Sequence, residues 1–413
     1  MLDRHLGPAV QRALLDSPVV LVNGARQTGK STLVQSIERR GPQARYVTLD
    51  DSGILAAARS DPAGFLAGFD GPVVIDEVQR SPELFPAIKI AVDRDRRPGR
   101  FLLTGSANIL LLPRLSESLA GRMEIFTLWP LSQGEIDGTA DEFVDRVFAS
   151  AARPLAAEPI SRADLARRVL RGGYPEVIGR AAADRRRAWF GSYVTTILQR
   201  DVRDLANIEG LTALPRLLSL LAARSMALLN FSELSRSSAI PQSTLKRYLI
   251  LLETSYLVAP LRPWSHHLGK RFVKSPKLVL SDTGLAAHLI GADEARLAAD
   301  PGLVGPLLES FAVTQVRKQL GWSRTRAEAF HYRTHAGEEV DILLEAADGR
   351  VVGVEVKAAA TVGGDDFRGL RALEATAGPR FHRGIVLYTG RESIPFSPRL
   401  QALPISALWA VGR

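Results

Sequence analysis

The chain has 413 residues, of which 46% are apolar and none is cysteine, a length that supports two or three separate hydrophobic cores. That composition excludes a disordered chain, a collagen and a disulfide-stapled scaffold, and the lack of cysteine removes thiolate nucleophiles, thiolate zinc sites and iron–sulfur clusters. The net charge of +9 is unevenly spread: residues 1–140 carry 16 basic and 16 acidic side chains, residues 141–290 carry 22 and 13, and residues 291–413 carry 15 and 15, so the middle segment suits a polyanion.

Residues 1–20 lack the apolar core and small-residue cleavage site of a signal peptide, and apolar runs such as Ile109–Leu112 and Leu249–Leu252 are far too short to cross a bilayer. A cytoplasmic protein with no membrane partner is expected. Pro18–Asn23 is almost continuously apolar, as a strand buried on both faces of a parallel sheet requires. It runs into Gly24, Ala25, Arg26, Gln27, Thr28, Gly29, Lys30, Ser31 and Thr32, after which Leu33, Val34 and Ile37 recur at helical spacing. Strand, glycine loop and helix in this order turn backbone N–H groups onto phosphates, with Lys30 as a cation at the β/γ position and the Ser31 hydroxyl as a ligand for Mg²⁺.

A second apolar run, Pro72–Ile75, ends in Asp76 and Glu77. Asp76 at a strand tip suits the metal, and Glu77 beside it suits polarising an attacking water. Ala44–Asp50, between the loop and the acidic pair, and Arg100–Thr104, after it, complete four strands separated by helix-length stretches, an order typical of ATPases with an added catalytic glutamate. Thr104, Ser106 and Asn108 follow the fourth strand, where a polar group such as Ser106 could sense the γ-phosphate; these are also ordinary turn residues. Arg122, just before the strand-like run Ile125–Trp129, is a candidate for stabilising phosphoryl charge, in cis or from a neighbouring subunit of a homo-oligomer.

The motifs GARQTGKST, VVIDEVQ, LLTGSAN and SLAGRMEIFTLWPLS resemble those of a prokaryotic group of AAA-family ATPases. The resemblance continues through GGYPE at Gly172–Glu176, QRDV at Gln199–Val202, KSPKLVLSDTGLAAHL at Lys274–Leu289, and EVDILLE and GVEVK near the end. It implies an α/β fold: a P-loop NTPase parallel sheet of the AAA type with added glutamate, a winged helix, and a C-terminal domain of unknown function with a restriction-endonuclease-like core.

Residues 141–212 read as an Arg-rich helical lid or linker following a nucleotide core over 1–140. Within 213–290, Phe231–Ile240 reads as a short capped helix, Pro241–Ser243 as a turn and Thr244–Glu253 as a second helix. Leu245, Tyr248, Leu249 and Leu252 form its buried stripe, leaving Gln242, Ser243, Lys246, Arg247 and Ile250 toward solvent. That is a helix-turn-helix pattern with a basic outer face. Leu257–Leu280 would supply a wing carrying Lys270, Arg271, Lys274 and Lys277, and these cations would give salt-dependent binding to DNA.

In residues 291–413, Val340–Glu345 and Val351–Lys357 alternate around Ala347-Asp348-Gly349, a three-residue hairpin loop with glycine third. The register this sets, Ile342 opposite Val354 and Leu344 opposite Val352, puts Asp341 opposite Glu355, while Glu355 and Lys357 share a face. Glu309 lies on an otherwise apolar helical stripe and needs a partner. Glu309 followed by Asp341-x13-Glu355-x-Lys357 resembles an endonuclease signature, in which the carboxylates can ligate Mg²⁺ and Lys357 can position or deprotonate water; a surface hairpin of alternating charges and a folded but inactive nuclease-like core are the alternatives. His331 and His335 lack a third ligand and read as ordinary side chains.

The expectation is an ATPase using ATP and Mg²⁺, coupling nucleotide state to nucleic acid or another partner. The rivals are an ATP-gated, metal-dependent nuclease and a non-enzymatic nucleotide switch that docks a protein.

Overall fold

The computed structural model describes residues 2–38, 44–108, 119–150, 154–201, 213–265 and 275–411. The proposed DNA contacts Lys270, Arg271 and Lys274 lie outside the described residues, as do the Ile109–Leu112 run and Val202. The chain divides into two compact units, Asp3–Pro130 with Ile250–Leu257, and Leu131–Leu249 with Val258–Arg413.

The first unit is built on five parallel strands, β1 (Val19–Asn23), β2 (Arg45–Thr48), β3 (Val73–Asp76), β4 (Phe101–Gly105) and β5 (Met123–Thr127), in the order β2-β3-β4-β1-β5. The apolar runs become central strands because both their faces are covered: every residue of β1, β3 and β4 is buried. Val19, Leu21, Ile75 and Leu103 pack with Leu84, Phe85, Ile88 and Val92 of helix Leu84–Arg94 in one core cluster. Helix α1 (Lys30–Glu38) leaves the glycine loop with Leu33, Val34 and Ile37 buried. Since all strands are parallel, the tips of β1, β3 and β4 share one edge, with β4 between the loop strand and the acidic strand. Brought into this unit by the chain's return, Tyr256 packs edge-on against Trp129 at 5.6 Å.

The second unit carries an eight-stranded mixed sheet of β6 (Val258–Pro263), β7 (Lys277–Leu280), β8 (Ala327–Arg333), β9 (Glu339–Ala346), β10 (Val351–Lys357), β11 (Phe381–Tyr388), β12 (Ile394–Pro395) and β13 (Leu400–Pro404), ordered β12-β13-β11-β10-β9-β8-β6-β7, with β6 to β10 central to its site. Helix α2 (Pro301–Leu320) presents Phe311, Ala312, Val313 and Val316 to the interior. The expected division at 290/291 does not separate two sheets. β6 pairs in parallel with β8 through Arg262 opposite Phe330 and Pro263 opposite His331, so residues on both sides of that division share one sheet.

By contact, Leu131 onward belongs to the second unit. Within that unit the Gly172-Gly173 pair is explained by close approach. A Cβ on Gly172 would stand 2.1 Å from Asp282 Oδ1, Gly173 N–H donates to Asp282 Oδ2 at 2.7 Å, and Gly173 O accepts from Leu131 N at 2.7 Å.

Candidate functional site

The glycine loop closes as a cradle through three left-handed backbone positions, Gly24 (φ 145°), Gln27 (φ 61°) and Gly29 (φ 91°). Lys30 is buried and its ammonium donates to the carbonyls of Gly24 at 3.0 Å and Ala25 at 2.8 Å. Thr28 Oγ1 donates back to Ala25 O at 2.9 Å, while the Arg4 guanidinium holds the outer side through Thr28 O at 2.6 Å and Trp129 O at 2.7 Å. Arg26 and Gln27 face outward more than Ala25 and Thr28, and Thr32 is exposed.

Asp76, at the tip of β3, gathers the polar side chains of three elements. Its Oδ1 accepts from Ser31 Oγ at 3.1 Å and from Thr104 Oγ1, and its Oδ2 accepts from Tyr46 OH at 2.7 Å. The Tyr46 hydroxyl is pushed up to about 12, first by burial and then by that carboxylate. Glu77 stands next in a left-handed conformation (φ 58°), its N–H donating to Thr104 Oγ1 at 3.0 Å. Its carboxylate accepts from Ser106 Oγ at 2.9 Å and from Gln79 Nε2. A loop cation, a metal-suited hydroxyl–carboxylate pair and a second carboxylate therefore meet at one sheet edge. Tyr46 and Arg4 belong to this arrangement although no motif marked them, and Gln79 closes the VVIDEVQ run.

Arg122 is placed elsewhere. It precedes β5, whose first residue pairs with Val19, and it donates to Asp93 Oδ1 at 2.5 Å. The five residues of β5, about 16 Å of strand, separate it from the loop edge. A role in cis is thereby corrected: a parallel strand entered at one end delivers its first residue to the edge opposite the phosphate loop.

In the second unit the β9–β10 hairpin has the register that burial requires, Ile342 opposite Val354 and Leu344 opposite Val352, and Gly349 turns the loop at φ 85°. Asp341 Oδ2 accepts from Val356 N at 3.0 Å, and Lys357 Nζ donates to Glu355 Oε1 at 2.9 Å. Glu309 is pushed up to about 8, by burial first and then by Asp341, while Glu355 is pushed up to about 7 by burial and the same neighbour. Lys277, expected on a solvent-facing wing, is instead buried, its ammonium 3.6 Å from Asp341 Oδ1 and 3.9 Å from Glu339 Oε1. The reason is pairing on both sides: Lys277 lies opposite Leu261 of β6 and bridges to Leu228.

Helices α3 (Phe231–Ser238) and α4 (Gln242–Thr254) form the expected pair, with Leu245, Tyr248, Leu249 and Leu252 buried. Gln242, Ser243, Lys246, Arg247 and Ile250 are exposed. His331 is buried and His335 exposed, and among the described residues no three His, Asp or Glu side chains are grouped to hold a metal ion. No helix among the described residues is long and apolar enough to cross a membrane.

Residues 16–137 match the family described as AAA domain, residues 162–296 a domain of unknown function (DUF8612), and residues 304–408 another (DUF4143). Two mycobacterial relatives, "Uncharacterized protein Rv2008c" of Mycobacterium tuberculosis and "Uncharacterized protein Mb2031c" of Mycobacterium bovis, are each 32% identical over 411 residues, covering 99% of this chain and 85% of theirs. Among solved structures, the Walker-type ATPase PABY2304 of Pyrococcus abyssi is 14% identical with a TM-score of 0.43, covering 70% of this chain and 96% of its own; so loose a likeness carries no argument about function.

Proposed function

Because the chain belongs to the family that joins an N-terminal AAA domain to a C-terminal DUF4143 domain, we propose that it binds and hydrolyses ATP with Mg²⁺ and couples nucleotide state to engagement of nucleic acid or a partner. The observation that supports hydrolysis best is the meeting of Ser31, Asp76 and Glu77 beside the loop. Ser31 Oγ and Asp76 Oδ1, 3.1 Å apart, are hard oxygen donors that suit Mg²⁺, which when bound neutralises charge on the β- and γ-phosphate oxygens.

This chain's own groups supply the rest. The N–H groups from Gly24 to Thr32 bind the phosphates, and Lys30 exchanges its contacts with the Gly24 and Ala25 carbonyls for phosphate oxygens. Glu77 accepts a proton from the attacking water once its carboxylate leaves Ser106 and Gln79. Ser106, which holds that carboxylate, reports on the γ-phosphate in this reading. An assisting role for Arg122 needs a second copy of the chain.

The α3–α4 pair followed by antiparallel β6 and β7 supports a winged-helix reading, with Lys246 and Arg247 outward for phosphate contacts. Glu309, Asp341, Glu355 and Lys357 around the hairpin support an endonuclease-like reading of the C-terminal fold. In a steady-state assay Lys30→Ala should abolish ATP turnover, and wild-type turnover in that variant refutes the reading. Gel shifts with duplex and single-stranded DNA, with and without ATP, test the coupling. Binding should weaken with salt and in a Lys246→Ala, Arg247→Ala double variant, and salt-insensitive failure to bind favours a protein partner.

A further inference from the structure

The endonuclease-like reading implies a divalent cation among Glu309, Asp341 and Glu355, and the side chains present do not fit one. Both oxygens of Asp341 are engaged, Oδ2 by the Val356 N–H at 3.0 Å and Oδ1 by the Lys277 ammonium at 3.6 Å. Glu355 Oε1 is held by Lys357 at 2.9 Å while its Oε2 is buried without a hydrogen-bond partner, and Glu339 Oε1 lies between Arg333 at 3.1 Å and Lys277 at 3.9 Å. Lys277 itself is fixed at both ends: its backbone belongs to β7, and its side chain is only 5% exposed. A buried ammonium must be matched by carboxylates, and buried carboxylates need a cation. Here Lys277 and Asp341, 3.6 Å apart, supply each other's need. A divalent ion drawn to Asp341 would meet a positive charge under 4 Å from that oxygen, a repulsion that disfavours its entry.

We propose that the ammonium of Lys277 is the resident cation of this carboxylate cluster, standing where the endonuclease-like hairpin would hold a metal, so that the C-terminal fold is complete without one. The cluster then serves as an internal ion-pair network and not as a metal-dependent cutting site. This goes beyond the phosphate-loop reading and does not depend on it.

The test is an Mn²⁺ titration of the full chain without nucleotide, read by the electron spin resonance of free Mn²⁺, with melting curves alongside; omitting nucleotide keeps the result independent of ATP binding. Wild type should leave Mn²⁺ free up to about 1 mM. Lys277→Arg, which keeps the charge, should do the same and melt near wild type. Lys277→Met should melt roughly 5–15 °C lower and regain part of that loss with millimolar Mn²⁺. The proposal is overturned by one-site Mn²⁺ binding to wild type tighter than about 0.1 mM that Asp341→Asn abolishes. It is equally overturned by Mg²⁺-dependent plasmid cleavage that Glu355→Ala abolishes, or by a Lys277→Met chain as stable as wild type. If Lys277→Met does not fold, the wild-type and Lys277→Arg titrations decide.

Discussion

Asp76 gathers three hydroxyls at the phosphate site, and its two oxygens are not equivalent. Oδ1 is shared by the Ser31 and Thr104 hydroxyls, whereas Oδ2 depends on the Tyr46 hydroxyl at 2.7 Å. Groups behind a metal ligand fix its orientation, and removing one typically costs 10–100-fold in metal affinity. Tyr46→Phe deletes that donor while leaving the ring in place. The Mg²⁺ concentration for half-maximal ATP turnover should therefore rise about tenfold, with turnover at saturating Mg²⁺ changed much less. Magnesium titrations at saturating ATP measure this split, and an unchanged half-point with reduced maximal turnover would contradict the role given to Tyr46.

The glycine loop works as an element because of what passes behind it. A Cβ on Gly24 would stand 2.2 Å from Leu128 O, and the residue's φ is 145°, so no side chain fits without moving the segment after β5. Gly24→Ala should lower the stability of the first unit by about 2–4 kcal/mol and impair nucleotide binding, as urea unfolding followed by circular dichroism and nucleotide titration would show. The loop's chemistry was legible in the sequence because every group lies within nine consecutive residues. The hairpin register was legible too, since a slip by one residue would bury Asp341 among valines. Positions set by distant pairing were not. Lys277 read as one more cation in a basic run, and only its pairing with Leu261 and Leu228 buries it. Arg122 read as near the phosphates because proximity to a strand in sequence does not say which end of that strand faces the loop. The pairing of β6 with β8 joins segments that share no local pattern, so one sheet spanning 290/291 was not legible.

At the scale of the whole molecule, two units with separate cores need not respond alike to pH. The second unit buries Glu309 and Glu355, pushed up to about 8 and about 7, and four of the five tryptophans, Trp189, Trp264, Trp322 and Trp409, lie in it. A carboxyl whose folded value is raised keeps a proton that the unfolded chain gives up near pH 4.5. Its stabilising contribution is therefore complete below about pH 4.5 and is lost as pH rises through 7 and 8. Ionising the first of the two opposes ionising the second, so the combined loss is smaller than two separate carboxyls would give. Tryptophan fluorescence melts should show the second unit losing on the order of 2 kcal/mol, or roughly 5 °C, between pH 5 and pH 8. Glu309→Gln, which keeps the shape and cannot ionise, should flatten much of that slope and raise stability at pH 8. A variant that melts with the wild-type pH slope would mean that Glu309 is already ionised in the folded chain at neutral pH, balanced by Lys277 rather than by its own proton.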